Sequence, residues 1–183
     1  DMPLIIKVAS IPKERIQVYF IDNDEYFKRK ATLTDEDGKL FSDNDERAIF
    51  FAKGVIETVK KLNWAPDIIH VHGWLASLLP LYLKEFYKDE PLFNESKVVT
   101  SIYNQGFDDT LNKDMVNKIK FDNIDEEVIK PLEEPTYNNL MKVAIDYSDA
   151  LIVGSQNIPV LEFKSKDEFG EAYTTFFNNT VLS

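Results

Sequence analysis

The sequence predicts an α/β domain with an open, mostly parallel sheet and helices on both faces. Short apolar runs typical of strands alternate with longer segments that carry apolar residues at helical spacing. The runs at residues 67–71, 97–103 and 150–153 are of the kind expected for buried strands. Strands that alternate with helices form right-handed βαβ units, and such units build a parallel sheet.

The first predicted elements are a strand and a long helix. Residues 16–21 (IQVYFI) are β-rich and apolar and end in a polar turn. Residues 28–43 are polar and predict a loop or a small hairpin. N-cap residue types at positions 42–45 then predict the start of a helix, which continues at helical spacing through Val59. Lys60 and Lys61 lie near its predicted C-terminal end, where cations suit the helix dipole, and Pro66 then stops it.

The rest of the chain continues the alternation of strands and helices. Residues 73–88 predict one helix, which Pro80 can kink. Residues 107–135 predict two short helices, and residues 136–147 have a clear helical pattern. A last helix is expected near residues 167–177. No internal repeat or low-complexity segment interrupts the sequence, so we treat residues 1–183 as a single domain.

Composition limits the class of protein. The 183 residues are 44% hydrophobic and 13% aromatic, which is enough to build a core. The formal net charge is -11, and the longest run of Lys and Arg has only three residues, at positions 28–30. Such a surface repels nucleic acids and anionic membranes, so we expect neither as a partner.

The chain contains no cysteine, which excludes a disulfide framework, a thiolate zinc site and a Cys nucleophile. This composition fits a reducing compartment, and we predict a cytoplasmic protein. No apolar run approaches the ~20 residues needed to span a membrane. The start at Asp1 lacks the basic segment of a signal peptide and reads as the middle of a longer protein.

Polar residues suited to ligand contact follow three predicted strands, at residues 70–74 (HVHGW), 103–106 (YNQG) and 154–157 (GSQN). Parallel strands bring their carboxyl ends to one edge of the sheet, where open α/β folds bind ligands. Both histidines of the chain lie in the first segment. The predicted binding residues are His72, Gly73, Trp74, Tyr103, Asn104, Gln105 and Ser155, with His72 as the catalytic candidate.

Each of these residues also has a structural interpretation. His70 has apolar neighbours in the strand and fits a hydrogen-bonded core histidine, whereas His72 lies at the strand's mouth and fits a ligand contact. Trp74 suits either the core or the site. Asn104 and Gln105 fit a turn equally well, and Ser155 can cap a following helix.

The residues Gly73 and Trp74 would open a helix, whose free N–H groups can receive an anion such as a phosphate. We take His70 and His72, which alternate along a strand, to point to opposite faces, so that they would not chelate one metal. Acidic pairs such as Asp43 and Asp45 are interpreted as solvated turns. We therefore expect no metal. Glycine-rich nucleotide motifs are missing, and we expect no cofactor. A serine nucleophile elbow is missing as well.

Several segments resemble those of bacterial glycogen synthases and plant starch synthases, in the same order. Residues 64–74 (WAPDIIHVHGW) resemble W-x-P-D-[VI]-[VI]-H-x-H-D-W, and residues 79–84 (LPLYLK) resemble [LV]-P-x-Y-L-K. Residues 18–27, 41–47 and 144–155 also follow segments of that family. The resemblance implies the N-terminal, Rossmann-like half of a GT-B glycosyltransferase.

The resemblance also implies an activity. Members of the family transfer glucose from ADP-glucose or UDP-glucose to the non-reducing end of an α-1,4-glucan, with retention and without a metal. The implied partners are therefore a nucleotide-sugar donor and an α-glucan acceptor. The active site of a GT-B enzyme lies between two domains, so a second domain or a partner chain is expected as well.

Two positions depart from the family pattern. The family has an aspartate that contacts the glucosyl unit where this chain has Gly73, and an active-site histidine where it has Tyr103. The sequence also contains no Lys-x-Gly-Gly motif. We therefore predict that this chain alone transfers little or no glucose. The alternatives are a catalytically degenerate domain that binds a glucan or a partner, and an unrelated α/β domain for a small anion.

Overall fold

The computed structural model describes residues 2–103 and 106–153. The predicted site residues Asn104, Gln105 and Ser155 lie outside the described residues. The same holds for the helix that was predicted near residues 167–177.

Within the described residues, a parallel sheet of three strands carries the site. The strands are β3 (Ile68–His72), β4 (Lys97–Ile102) and β5 (Ala150–Val153), in the spatial order β3-β4-β5. Both pairs are parallel, with His72 opposite Ser101. The predicted α/β class with a parallel sheet is therefore confirmed, and the carboxyl ends of all three strands lie at one edge.

An antiparallel hairpin precedes this sheet. Strand β2 (Ile16–Asp22) confirms the first predicted strand, but its partner β1 (Ile5–Ile11) was not predicted. The turn between them contains Arg15 in the left-handed region, with φ of 54°. Two apolar residues of the hairpin, Val8 and Phe20, are more than half exposed. The hairpin forms a sheet of its own and does not extend the parallel one.

The long helix α2 (Asn44–Lys61) begins where its N-cap residue types predicted. It buries Ala48 and Ala52 in the core. It ends at Lys61, which confirms the C-terminal end predicted from the two lysines, but it ends before Pro66, the residue that was predicted to stop it. Asn63 takes a left-handed φ of 49° just after the helix, and this conformation cannot continue an α-helix.

A short helix and a loop connect the hairpin to α2, and the hairpin packs closely against α2. The short helix α1 (Asp24–Phe27) follows β2, and the predicted loop at residues 28–43 contains one antiparallel bridge, between Thr34 and Leu40. At Gly54, in the middle of α2, an added Cβ would lie 3.1 Å from a methyl group of Leu4. The glycine therefore lets the hairpin segment approach the helix closely.

The prediction of one continuous helix over residues 73–88 is wrong in detail. The segment forms a 3₁₀ turn (Trp74–Ala76), a single α-turn α3 (Leu79–Leu81) and a π-helical turn (Tyr82–Phe86). Pro80 has no N–H and is tolerated only in the first turn of a helix, which is where α3 places it. The apolar spacing is met all the same, since Leu78, Leu81 and Tyr82 are fully buried.

Three helices lie between β4 and β5. The two predicted short ones are α4 (Met115–Lys120) and α5 (Glu126–Ile129), the latter extended by a 3₁₀ turn (Lys130–Glu133). Helix α6 (Tyr137–Asp146) confirms the third, and its N-cap Thr136 accepts a hydrogen bond from the Asn139 N–H at 3.2 Å. No helix in residues 2–103 and 106–153 is long and apolar enough to cross a membrane.

Candidate functional site

The first two predicted strand ends meet at the edge of the parallel sheet. His72 is the last residue of β3, and Tyr103 follows β4 directly. The His72 Nδ1 and the Tyr103 hydroxyl oxygen are 2.8 Å apart. Their rings are nearly parallel, with an angle of 22° and centroids 6.0 Å apart. The parallel register therefore brings together two residues that are 31 positions apart in the sequence.

The inner histidine, His70, is held by β4. Its Nε2 lies 2.8 Å from the Oγ of Ser101, which is a buried residue. Burial, together with the charge of nearby His72, lowers the pKa of His70 to about 4. His70 is therefore neutral near pH 7, and it fits the interpretation of a hydrogen-bonded inner histidine.

The two imidazoles lie on the same face of β3. Their ring centroids are 4.0 Å apart at an angle of 47°. The expectation that they point to opposite faces is wrong, because side chains two positions apart along a strand share a face. Burial also lowers the pKa of His72. The described residues contain no group of three or more His, Cys, Asp or Glu side chains that could hold a metal ion.

Gly73 has a backbone that favours glycine. Its φ of 74° and ψ of 169° lie in a region that other residues rarely occupy. No atom lies within 4 Å of the place where a Cβ would stand. An aspartate here would thus be disfavoured by the backbone and not by lack of room. The residue opens a 3₁₀ turn of three residues, so the predicted helix N-terminus for an anion is not formed.

Trp74 packs inward rather than lining an open edge. It is half-buried against the core, and its ring meets that of Phe107 edge to face at 6.3 Å. Phe107 in turn contacts the ring of Tyr137 at 5.8 Å. The core interpretation of Trp74 therefore fits better than stacking on a ligand.

Two residues that the sequence reasoning missed hold this edge in place. The Tyr137 hydroxyl donates to the backbone oxygen of Tyr103 at 2.9 Å. A Cβ on Gly106 would lie 2.8 Å from the Tyr137 ring, so the glycine lets the chain pass close to it. Ser101 is the other residue. It lies two positions before Tyr103, and this spacing predicts that both side chains point to the same side of the extended chain.

A cavity of about 370 Å³ lies beside the two histidines, between α2, β3 and the 3₁₀ turn that follows. Its walls are mostly apolar, and His70 and His72 are its polar members. This volume is in the range of small-ligand sites. A second cavity of about 360 Å³ lies apart from the strand ends, and it is lined by α2 together with Leu4, Tyr26 and Lys118. We take the first as the candidate because its polar groups coincide with the sheet edge.

An ion-pair cluster elsewhere corrects another expectation. Asp45 is fully buried and not part of a solvated turn, and its Oδ2 lies 2.7 Å from the Nζ of Lys118. The same ammonium lies 2.7 Å from Glu46 Oε1, and Tyr26 donates to Glu46 Oε2 at 2.9 Å. Asp43, the other member of the predicted acidic pair, is half-buried and accepts a hydrogen bond from Arg29 at 2.7 Å. The cluster joins α1, α2 and α4.

The sequence as a whole can now be compared with known proteins. The family model described as the starch synthase catalytic domain matches residues 2–165. The chain belongs to this family. The resemblance that the motif residues indicated is thereby confirmed.

Curated relatives agree with this family membership. The chain is 38% identical to the glycogen synthase of Chlorobium luteolum over 155 residues, which are 84% of this chain and 31% of that protein. It is 33% identical to the glycogen synthase of Chlorobium phaeovibrioides over 181 residues, which are 98% of this chain and 35% of that protein. The chain thus spans about a third of the length of these starch synthase family relatives.

Proposed function

We propose that this chain is the N-terminal catalytic part of a glycogen or starch synthase-like glucosyltransferase with the GT-B arrangement. It acts on a nucleotide sugar, ADP-glucose or UDP-glucose, and on an α-1,4-glucan, in the cytoplasm. The observation that carries the proposal is the contact between His72 and Tyr103 at the carboxyl ends of adjacent parallel strands. Family membership supports it, and the cavity beside the histidines gives room for a ligand.

The edge lacks the charge that glucosyl transfer requires. The described residues that line the cavity include no Lys or Arg, and the pKa values of both histidines are lowered. A leaving nucleoside diphosphate develops negative charge, which catalysts offset with preorganised cations and N–H donors. A second domain or a partner chain therefore has to supply these groups.

We expect the purified chain to transfer no measurable glucose from ADP-glucose or UDP-glucose to glycogen. The physical reason is the missing cationic half of the site. A coupled assay that detects release of ADP or UDP measures this, with the glycogen synthase of Chlorobium luteolum as the positive control. Turnover well above background that disappears in the His72→Ala variant would show that the chain is a complete catalyst.

A catalytically degenerate domain that binds a glucan or a partner is the second candidate. The observation that favours it is the pair of departures at Gly73 and Tyr103, since the backbone at Gly73 disfavours the family's aspartate. A thermal-shift panel separates the two candidates. Stabilisation by maltotetraose alone favours the degenerate binder, and stabilisation by ADP-glucose or UDP-glucose favours the enzyme; a ligand at 100 times its Kd adds about 2.7 kcal/mol.

A further inference from the structure

Two hydroxyl groups in and just after β4 pair with the two imidazoles of β3, Ser101 with His70 and Tyr103 with His72. Ser101 and Tyr103 are two positions apart, as are His70 and His72, and each hydroxyl oxygen lies 2.8 Å from a ring nitrogen. The outer pair involves a residue at which this chain departs from its family. Tyr103 therefore helps to set the environment of His72.

The direction of the outer hydrogen bond follows from the chemistry of the two groups. A phenol is a better donor than acceptor, and a neutral imidazole has one ring nitrogen that accepts and one that donates. His72 is neutral near pH 7, because burial lowers its pKa below the ordinary value. Tyr103 then donates to Nδ1, and the ring proton of His72 is on Nε2.

Tyr103 is itself fixed at two points. Its backbone oxygen accepts the hydrogen bond from the hydroxyl of Tyr137, which lies on the capped helix α6. Its ring lies nearly parallel to that of His72. The phenol can therefore hold the imidazole plane as well as its tautomer.

We propose that Tyr103 is a positioning residue that fixes His72 in the Nε2–H tautomer, so that the mouth of β3 presents one N–H donor. That donor suits an oxygen acceptor, such as a sugar hydroxyl or a phosphoryl oxygen. Because Nδ1 is engaged by the phenol, His72 does not act as a base through that nitrogen. Only the contact with a ligand rests on the proposed function, since the tautomer is a property of the free chain.

The test is a long-range ¹H–¹⁵N spectrum of the histidine ring nitrogens in the ¹⁵N-labelled 183-residue chain at pH 7.5. His72 is assigned by comparison with His70→Ala. We expect Nε2 to be protonated and Nδ1 not. In Tyr103→Phe the minor Nδ1–H tautomer should grow roughly five- to tenfold, the equivalent of one lost hydrogen bond. The pKa of His72 should rise as well, since donation to Nδ1 favours the neutral ring.

The matched control is Tyr19→Phe, which removes a phenol oxygen from the remote hairpin. It should leave the His72 signals unchanged. A protonated Nδ1 in the unsubstituted chain would overturn the proposal even if Tyr103→Phe fails to fold. So would a folded Tyr103→Phe variant with the same tautomer ratio and pKa.

A titration of the same sample with maltotetraose and ADP-glucose separates this proposal from the proposed function. The spectrum without ligand decides the role of Tyr103. The response of the His72 Nε2 signal to ligand decides whether the edge binds either compound. The tautomer can therefore be as proposed in a chain that binds neither compound, and a compound can bind in a chain whose tautomer is not as proposed.

Discussion

Replacing Lys118 by methionine should destabilise the fold by about 3–5 kcal/mol at pH 7, because it leaves the charge of Asp45 buried without its partner. Asp45 has no exposed surface, and the Lys118 ammonium lies 2.7 Å from its Oδ2. The other oxygen, Oδ1, has no hydrogen-bond partner among the residues that the structure describes. Urea unfolding followed by circular dichroism measures the loss.

The matched control is Lys113→Met, which breaks a pair with Glu134 whose side chains are 60% and 58% exposed. Exposed pairs contribute about 0–1 kcal/mol, so this variant should be nearly neutral. Adding Asp45→Asn to Lys118→Met should restore part of the stability, because a neutral amide removes the uncompensated charge. Equal losses in Lys118→Met and Lys113→Met would contradict the assignment of a buried ion pair.

The loss should also depend on pH. Burial raises the pKa of Asp45 in the folded state, and the hydrogen bond from Lys118 opposes that rise. A carboxyl whose folded pKa lies above its unfolded value binds protons more readily when folded, so its ionisation removes stability as the pH rises. Without Lys118 the pKa of Asp45 rises further. The difference between the variant and the unsubstituted chain should therefore be larger at pH 7 than near pH 4.

The two histidines should divide stability and binding between them. His70→Ala removes the partner of Ser101, a buried hydroxyl, and should cost about 1–3 kcal/mol of stability. His72→Ala changes an exposed residue and should cost little stability, but it should weaken ligand binding at least about tenfold, the equivalent of one lost hydrogen bond. Urea unfolding and calorimetric titration with ADP-glucose, UDP-glucose and maltotetraose measure both effects.

The opposite division would contradict the assignment of the site. If His72→Ala were as destabilising as His70→Ala and left affinity unchanged, the outer histidine would be structural. If His70→Ala alone abolished binding in a folded protein, His70 and not His72 would make the ligand contact in the cavity that both rings line.

The parallel sheet could be predicted because its strands are marked locally. Apolar runs bounded by polar residues identify β3, β4 and β5, and the topology rule then places their carboxyl ends together. The contact of His72 with Tyr103 follows from that rule, although 31 positions separate them. By contrast, the shared face of His70 and His72 was available from their spacing and was misjudged.

Other features could not be derived from local patterns. The apolar spacing of residues 73–88 fits a 3₁₀ turn, an α-turn and a π-helical turn as well as one α-helix. The burial of Asp45 depends on Lys118, which is 73 positions away and gives no signal near the acidic segment. The end of α2 is set by a left-handed asparagine, Asn63, and not by the more conspicuous Pro66.

Tyr103 and Gly73 both lie next to His72 at the edge of the sheet, Tyr103 in space and Gly73 along the chain. Tyr103 lies against the imidazole of His72, and Gly73 adopts a backbone that an aspartate rarely takes. We therefore expect that Tyr103→His changes the tautomer of His72 and that Gly73→Asp strains the turn after β3.

The most direct measurement is an amide ¹H–¹⁵N titration of the labelled chain with maltotetraose, ADP-glucose and UDP-glucose in turn. If the carboxyl ends of the parallel strands bind the ligand, the largest shifts will fall on residues 70–74 and 101–107, and residues 5–22 of the hairpin will not move. Shifts centred on the hairpin, or no shift with any of the three compounds, would contradict a ligand site at this edge of the sheet.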